Sequence, residues 1–142
     1  MTTSGFQLLS QSSMRRAVAR AMSKSKREAP HFYVSGEAHL DHLFRHLEAV
    51  NDGRSDDDRI SLTAVLVHVA ASALVAHPHL NGHWTEEGLA LVDGVHVGVA
   101  VAVDDGLIAP AVLDCAELDV LTISQRLRDL AEIGRASCRE RV

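Results

Sequence analysis

Apolar positions in the first third of the chain repeat at helical spacing, and the first such stripe consists of Met14, Ala17, Val18, Ala21 and Met22. Ser12 or Ser13 can cap the start of this helix by accepting free amide hydrogens of its first turn. The residue before Pro30 is pushed out of the helical region, so the helix should stop before Ala29. His31 to Leu40 then predicts a strand.

Two further helices are predicted before the chain turns at Pro78. Asp41 can cap the second helix, whose inward positions would be Leu43, Phe44, Leu47 and Val50. An acidic stretch, residues 51–59, predicts a solvated loop. Ser61 or Thr63 would start the third helix, whose buried side is predicted to be Leu62, Val65, Leu66, Val69, Ala73 and Leu74.

A period of two replaces the helical period after the HPHLNGHW segment, which turns the chain. Residues 89–92, the Asp93-Gly94 pair and residues 95–103 together predict a hairpin. Its second strand alternates, with valines on one face and His96, Gly98, Ala100 and Ala102 on the other. A turn at residues 104–106 leads into residues 107–113, where Pro110 indicates a sheet edge or a bulge. Asp119 then caps a last helix with Val120, Ile123, Leu127 and Leu130 inward.

The order of elements favours one α/β (α+β) domain, a two-layer sandwich of a mixed β-sheet with helices on one face. A length of 142 residues and a hydrophobic share of 46% are enough for a single core.

Charge is distributed unevenly along the chain. Six of the fourteen Lys and Arg residues lie between Arg15 and Arg27, while the formal net charge of the whole chain is −5. A domain that binds nucleic acid in general would be basic overall, so we expect no nucleic-acid partner. The basic helix suits a small polyanion or an acidic partner better.

The location of the protein is predicted from cysteine usage and from its apolar runs. Cys115 is the only cysteine outside the last ten residues, so a disulfide framework is excluded and a cytoplasmic location is favoured. The first residues lack a basic region followed by an apolar one, and the apolar runs look too short to cross a bilayer. We therefore expect no secretion signal and no membrane partner.

Four motifs in order carry a resemblance to a known family. MRRAVARAMSKSKREAPHFY resembles MRRxIAxxMxxSKxxxPHFY, with Val18 for Ile; HPHLNGHW resembles HPxxNxxW; VGVAVAVDDGLIAPAV resembles IGVAVxxxxGLIxPV; and QRLRDLAE resembles the helix that follows. These are motifs of the catalytic domain of dihydrolipoamide acyltransferases, the core subunits of 2-oxo acid dehydrogenase complexes. The resemblance implies a chloramphenicol acetyltransferase-like fold, here incomplete, since it covers roughly the first half of the family's domain.

The last ten residues, 133–142, resemble translated sequencing adapter. IGRASCRERV is encoded by ATC GGA AGA GCG TCG TGT AGG GAA AGA GTG. We therefore divide the chain into an N-terminal arm (1–13), the N-terminal part of an acyltransferase catalytic domain (14–132) and a non-native read-through (133–142). This interpretation predicts that the natural chain was cut near Glu132.

The family's catalytic histidine is missing from this sequence. Its members move an acyl group between a dihydrolipoamide thiol and coenzyme A, and a histidine in an HxxxDG segment acts as general base. The three Asp-Gly pairs here are preceded at that spacing by Glu48, Leu89 and Val101. We therefore expect no catalytic residue in this chain and no activity from it alone.

Coenzyme-binding residues are implied by the same resemblance, which places the basic helix and the following PHFY near the coenzyme A and acyl entrance. Guanidinium groups suit phosphate oxygens. The candidates are Arg15, Arg16, Arg20 and Lys24 for the nucleotide end, and His31 and Phe32 for the channel. The alternatives are a solvated helix face that makes salt bridges to a neighbouring subunit, and a strand start packed beside Pro30.

The histidines are not predicted to bind a metal, and the cysteine is not predicted to be reactive. His39, His42 and His46 form one cluster and His77, His79 and His83 another, but neither comes with cysteine ligands, so we expect no metal. His77 would be a favourable cation at a helix C-terminus. Cys115 has no basic neighbour in sequence and is interpreted as a small buried thiol.

The resulting hypothesis is a fragment of an acyltransferase with coenzyme A as substrate and a lipoyl group supplied by another domain or chain. Its implied partners are a homotrimer or larger core, a lipoyl domain and the dehydrogenase-complex subunits. The alternative is a non-catalytic trimer-forming or coenzyme A-binding assembly module. The identity of the acyl group stays open.

Overall fold

A computed structural model describes the backbone of residues 9–103 and 106–139, with side chains through residue 134. Four helices, six short strands and three 3₁₀ turns make up this part of the chain. The helices are α1 (Ser13–Glu28), α2 (Asp41–Asn51), α3 (Leu62–Ala76) and α4 (Val120–Arg139). The strands are β1 (Gly82–Thr85), β2 (Gly88–Leu91), β3 (Val97–Gly98), β4 (Val101–Val103), β5 (Gly106–Ile108) and β6 (Ala111–Val112).

Helix α1 begins and ends where its sequence signals predict. The Ser12 hydroxyl accepts a hydrogen bond from the amide of Arg15, and Ala29 ends the helix in an extended conformation. The predicted apolar stripe, however, is not buried: Met14 and Val18 are half-buried, and the rest of the stripe is exposed. Only the start of the stripe is partly covered, where Met14 lies against Gly106 of β5.

The prediction of a strand over residues 31–40 is wrong. The segment has no ladder partner among the described residues, and Phe32, Tyr33 and Val34 are exposed. A strand requires inter-strand hydrogen bonds as well as extended residues, and this segment makes none of them.

Helix α2 differs from its prediction by one residue at its start. Leu40 is the cap and Asp41 is the first helical residue, with no side-chain cap bond. Phe44, predicted inward, is exposed, because only one side of this helix meets the rest of the fold. At its end, buried Asn51 exchanges two hydrogen bonds of 2.8 and 2.9 Å with the backbone of Ile60 and so closes the acidic loop.

Helix α3 has the predicted cap, Ser61, but its predicted buried face is confirmed only in part, since Leu62, Val65 and Leu74 are half-buried. Ala64, Val67 and Ala71 are buried, whereas the predicted Leu66 and Val69 are exposed, as is Ala73. The sequence of α3 is apolar on nearly every side, so its periodicity cannot select one face.

The membrane expectation also needs a correction. In the part of the chain that the structure describes, the segment Asp56–Ala76 is long and apolar enough to cross a bilayer by length and composition. Core helices of soluble proteins pass the same test, and α3 packs its buried face against α4. We therefore interpret α3 as a core helix.

The first hairpin lies earlier than predicted. Strand β1 pairs antiparallel with β2 around Glu86-Glu87, and the positive φ of Gly88 (132°) allows the tight return. The Asp93-Gly94 pair instead lies in the segment that connects this hairpin to the next. The Asn81 amide donates to the carbonyl oxygens of Val92 (3.1 Å) and Gly94 (2.7 Å), which fixes that exit.

The second hairpin is one long ladder with an interruption. The β3–β6 and β4–β5 ladders share one antiparallel register, so they continue each other. Between them the amide of Val99 donates to the carbonyl oxygen of Pro110 (3.0 Å), and Pro110 has no amide to return the bond. The predicted alternation is confirmed, with valines 95, 97, 99, 101 and 103 turned inward. The predicted turn at residues 104–106 lies mostly outside the described residues.

The core lies between α3, α4 and the second hairpin. Its buried hydrophobic residues are Ala64, Val67, Ala71, Val95, Val112, Cys115 and Ile123. The predicted cap of α4 is confirmed, since the Asp119 carboxylate accepts from the amide of Thr122 at 2.7 Å. Helices therefore form one layer and antiparallel ladders the other. No parallel strand pair of a mixed sheet occurs within the described ranges.

Candidate functional site

Helix α1 presents its cations to solvent. It has no buried residue, and Arg15, Arg16, Arg20 and Lys24 are all exposed. The Arg16 guanidinium donates to the backbone oxygen of Gln11. Lys24 lies 3.7 Å from the carboxylate of Glu28, one turn further along, and both groups are well exposed. An exposed pair of this kind adds little stability, so Lys24 can exchange its partner for another anion at small cost.

A groove separates the second half of α1 from the tip of the first hairpin. Its volume is about 590 Å³, and it is lined by Ala21, Lys24, Ser25, Glu28, Ala29, Trp84, Thr85 and Glu86. A second hollow of about 420 Å³ lies on α1 and is lined by Ala19, Arg20, Ser23, Lys24 and Arg27. Lys24 borders both hollows.

The structure brings together only part of the predicted site. Arg20 and Lys24 border these hollows, whereas Arg15 and Arg16 lie nearer the start of α1 and line neither. His31 and Phe32 are exposed beyond Pro30 and line neither of them. The Nδ1 of His31 lies 2.7 Å from the carbonyl oxygen of Ala29, so this nitrogen carries the hydrogen and donates it.

Of the residues that line the two hollows, only Arg20 and Lys24 were predicted, and those missed include Ser25, Arg27 and Trp84. Trp84 is the last residue of the HPHLNGHW motif, which was interpreted as a turn and as part of the family resemblance but not as a binding segment. Its side chain is 61% exposed at the mouth of the groove. An exposed tryptophan beside cations was the signal that could have found this site.

A further contact ties the segment after Pro30 to α1. The Lys26 ammonium donates to the Tyr33 hydroxyl and also lies 4.7 Å from the centre of its ring. Lys26 thereby points away from the two hollows, and residues 31–34 are held against the end of α1.

The buried thiol of Cys115 matches its interpretation. It is fully buried and donates to the carbonyl oxygen of Val112 at 3.1 Å. Burial raises the pKa of the Cys115 thiol above its ordinary value, which disfavours the reactive thiolate. Cys115 is therefore a packing residue and not a nucleophile.

The histidines are dispersed over the fold. His42 contacts Arg45 on its own helix, and His96 accepts a hydrogen bond from the amide of Asp114 at 3.0 Å. Within the described ranges, no three His, Cys, Asp or Glu side chains lie close enough to hold a metal ion. His68 was missed by the sequence analysis: its buried Nδ1 has no hydrogen-bond partner.

The sequence matches the family described as 2-oxoacid dehydrogenases acyltransferase (catalytic domain) over residues 4–139. The dihydrolipoyllysine-residue acetyltransferase component of the pyruvate dehydrogenase complex of Rickettsia felis is 30% identical over 127 residues, which is 88% of this chain and 31% of that protein. The mitochondrial pyruvate dehydrogenase protein X component of Mus musculus is 31% identical over 124 residues, which is 87% of this chain and 24% of that protein. The chain thus spans less than a third of these relatives.

Solved structures show the same fold. A probable dihydrolipoamide acetyltransferase from Listeria monocytogenes superposes with a TM-score of 0.86 at 26% identity, covering 95% of this chain and 58% of that one. A truncated catalytic core of the 2-oxoacid dehydrogenase multienzyme complex from Thermoplasma acidophilum gives 0.83 at 25% identity, covering 93% and 61%.

Proposed function

This chain belongs to the family of 2-oxoacid dehydrogenase acyltransferase catalytic domains, and from that premise we propose that the complete protein transfers an acyl group between dihydrolipoamide and coenzyme A. The predicted family and its incomplete chloramphenicol acetyltransferase-like fold are both confirmed. The names of the relatives favour an acetyl group and a pyruvate dehydrogenase complex.

One observation carries the proposal. The family match runs over nearly the whole chain, and the described backbone superposes on solved catalytic cores over more than nine tenths of its length. The family match supports the acyltransferase assignment over nearly the whole chain, and the shared backbone supports the fold, so the assignment does not depend on any one motif.

We propose that the polypeptide itself binds coenzyme A but does not catalyse acyl transfer. Acyl transfer needs a base to take the thiol proton and a donor to stabilise the oxyanion, and no HxxxDG segment occurs in the sequence. We assign the nucleotide end of coenzyme A to Arg15, Arg16, Arg20 and Lys24, whose exposed positive charges attract phosphate. His31 and Phe32 are proposed to lie beside the acyl entrance.

The proposed partners follow from the same family. A lipoyl group would come from another domain or chain, and the intact protein would form a homotrimer or larger core with the other dehydrogenase-complex subunits in the cytoplasm. The proposed catalytic part is residues 14–132, preceded by an arm (1–13), with residues 133–142 as translated adapter. No metal is required, since the base and the oxyanion donor supply the chemistry.

Isothermal titration of the chain with coenzyme A tests this proposal. We expect saturable binding that weakens as salt is added, because phosphate contacts are screened. Charge reversal by Arg15→Glu with Arg16→Glu should lower the affinity about tenfold or more, whereas Arg45→Glu, on an exposed face of α2, should not. Absence of binding to a chain that keeps its helical circular dichroism would contradict the proposal.

A second candidate function, a non-catalytic assembly module, is favoured by the exposed surface. The accessible area of the chain is 11482 Å², while a folded monomer of 15.4 kDa exposes about 7,200 Å². Light scattering distinguishes the candidates: a monodisperse trimer that does not bind coenzyme A would favour the assembly module, and coenzyme A binding would favour the acyltransferase.

A further inference from the structure

We propose that two copies of this chain pair antiparallel through residues 31–37, around a two-fold axis that passes through Val34. This pairing gives an occupant to the exposed segment between α1 and α2. It is independent of the function proposed above, so coenzyme A binding can stand or fail without it.

Residues 31–39 form a straight and uncovered segment. The backbone runs from Pro30 to Leu40 without a turn or a bend, and every residue from 31 to 39 is exposed. Phe32 and Val34 expose 84% and 85% of their surface. Within the described ranges the segment has no ladder partner, so its amide and carbonyl groups are open to another strand.

The segment is held in place before any partner binds. The Lys26 ammonium contacts the hydroxyl and the ring of Tyr33 near one end, and α2 begins at Asp41 at the other. A segment that is ordered in advance loses less conformational entropy on pairing. Lysine and proline, which protect many exposed strand edges, are absent from residues 31–40.

One antiparallel register is self-complementary. With Val34 opposite the same residue of the second copy, His31 lies opposite Glu37 and Phe32 lies opposite Gly36. The Glu37 carboxylate then faces an imidazole that can carry a positive charge. The Phe32 ring covers the gap beside Gly36, as aromatic residues do opposite glycines at sheet edges. Two-fold symmetry forms each contact twice.

Neighbouring registers lose this match. An axis at Tyr33 places Glu37 opposite Ala29, and an axis at Ser35 places it opposite Tyr33. In both cases the carboxylate meets no side chain that can carry a positive charge. Charge complementarity therefore selects the axis at Val34.

Disulfide trapping tests the pairing, because two short strands bury less than the roughly 800 Å² per partner of a standard interface and so should bind weakly. Single cysteines are placed in the full chain with Cys138→Ser, while buried Cys115 stays. Under mild oxidation, Val34→Cys should link to its own copy about tenfold faster than Arg45→Cys, which lies on an exposed face of α2. Opposite Cα atoms in an antiparallel pair lie about 4.5–5.5 Å apart, which is within reach of a disulfide.

Cysteines away from the axis are the matched controls. Phe32→Cys and Gly36→Cys should each link to themselves no faster than Arg45→Cys, because the equivalent residues lie about 14 Å apart along the ladder. An equal mixture of these two variants should link about fivefold faster than either alone, since residue 32 faces residue 36. A side chain at Gly36 meets nothing within 4 Å, so the fold tolerates the substitution.

Charge variants test the same register in the Val34→Cys chain. Glu37→Lys should slow the link about threefold to tenfold, because a cation then faces His31 in place of a carboxylate at both ends of the pair. Adding His31→Glu should return the rate to within about threefold of the Val34→Cys chain, since the charge pair is then reversed. Circular dichroism checks that each variant keeps its helices.

The pairing is overturned if Val34→Cys, in a folded chain, links no faster than Arg45→Cys. Fast self-linking at positions 32, 34 and 36 alike would show a parallel pair and overturn the two-fold axis. Equal rates for Glu37→Lys with and without His31→Glu overturn the assigned register. None of these results bears on coenzyme A binding, which calorimetry measures separately.

Discussion

At the scale of single residues, several polar side chains form hydrogen bonds between segments that are distant in sequence, and their position in a motif does not reveal these bonds. The amide of Asn81, in HPHLNGHW, holds the segment that leaves β2, and the amide of Asn51 closes the acidic loop. Buried Ser124 accepts from the amide of Ser61 and donates to the carbonyl oxygen of Arg59. These bonds could not be predicted from sequence, because they depend on which loops the fold brings together. The caps at Ser12, Ser61 and Asp119 could be predicted, because their partners lie within the next turn. The cap predicted at Asp41 was wrong, since that residue makes no cap bond.

Replacing Asn81 by alanine should destabilise the fold. The change leaves the carbonyl oxygens of Val92 and Gly94 without their amide donor, which costs about 1–3 kcal/mol when such groups are poorly hydrated. Urea unfolding followed by circular dichroism measures the effect. His79→Ala, an exposed change in the same segment, is the control, and equal unfolding midpoints for the two variants would refute this role for Asn81.

Asp119 should make stability depend on acid pH. The hydrogen bond from the Thr122 amide lowers the pKa of the Asp119 carboxyl below its ordinary value. A lowered pKa means that the stabilisation is present above the ordinary pKa and is lost as the pH falls through the folded-state value. Asp119→Asn keeps a capping oxygen but cannot titrate. Its unfolding midpoint should therefore fall less than that of the unmodified chain between pH 5 and 3; identical pH profiles would contradict the assignment.

At the scale of elements, sequence patterns predicted the buried face correctly where an element packs only one of its sides against the core. The valines of residues 95–103 and the inward face of α4 were predicted correctly because each element packs one side onto the core. The buried face of α3 could be predicted only in part, since this helix is apolar on nearly every side. The first hairpin was missed because Glu86-Glu87 is not a common turn pair, whereas Asp93-Gly94 is. The strand predicted over residues 31–40 does not form, because this segment has no partner strand among the described residues.

Two glycines in strands should respond differently to alanine. A Cβ at Gly82 would lie 2.7 Å from the backbone oxygen of Ala90 across the β1–β2 ladder, while a Cβ at Gly98 would meet nothing within 4 Å. Since a backbone atom cannot move aside cheaply, Gly82→Ala should cost about 1–3 kcal/mol. Gly98→Ala should stay within about 0.5 kcal/mol of the unmodified chain. Denaturant unfolding of both variants tests this, and equal stabilities would contradict the described pairing.

At the scale of the whole molecule, the dominant feature is uncovered apolar surface. The total accessible area of the chain, polar and apolar together, exceeds that of a folded monomer of this mass by about 4,300 Å². A standard interface buries roughly 800 Å² per partner. Exposed apolar side chains are spread over all parts of the fold, including Phe32 (84%), Leu66 (51%) and Leu91 (52%). The fold class could be predicted from four ordered motifs, because they constrain the whole chain at once.

This surface predicts self-association of the purified chain. We expect light scattering to give a mass above 15.4 kDa and a dye that binds apolar surface to fluoresce strongly. Replacing exposed Leu66 and Val69 on α3 by glutamine should reduce both signals without unfolding the chain, whereas Arg45→Gln should leave them unchanged. A monomer with little dye binding would show that the surface is covered in solution in some other way.

An acyl-transfer assay of this polypeptide tests the proposed function, in which the chain binds coenzyme A but does not transfer an acyl group. Purified chain, with coenzyme A at a concentration that saturates its measured binding, is mixed with acetyl-dihydrolipoamide, and acetyl-coenzyme A is quantified over time. We expect binding of coenzyme A with no transfer above the uncatalysed rate, because no HxxxDG segment, which we propose supplies the general base, occurs in the sequence. Transfer that scales with the concentration of the chain and disappears when the chain is unfolded would contradict it.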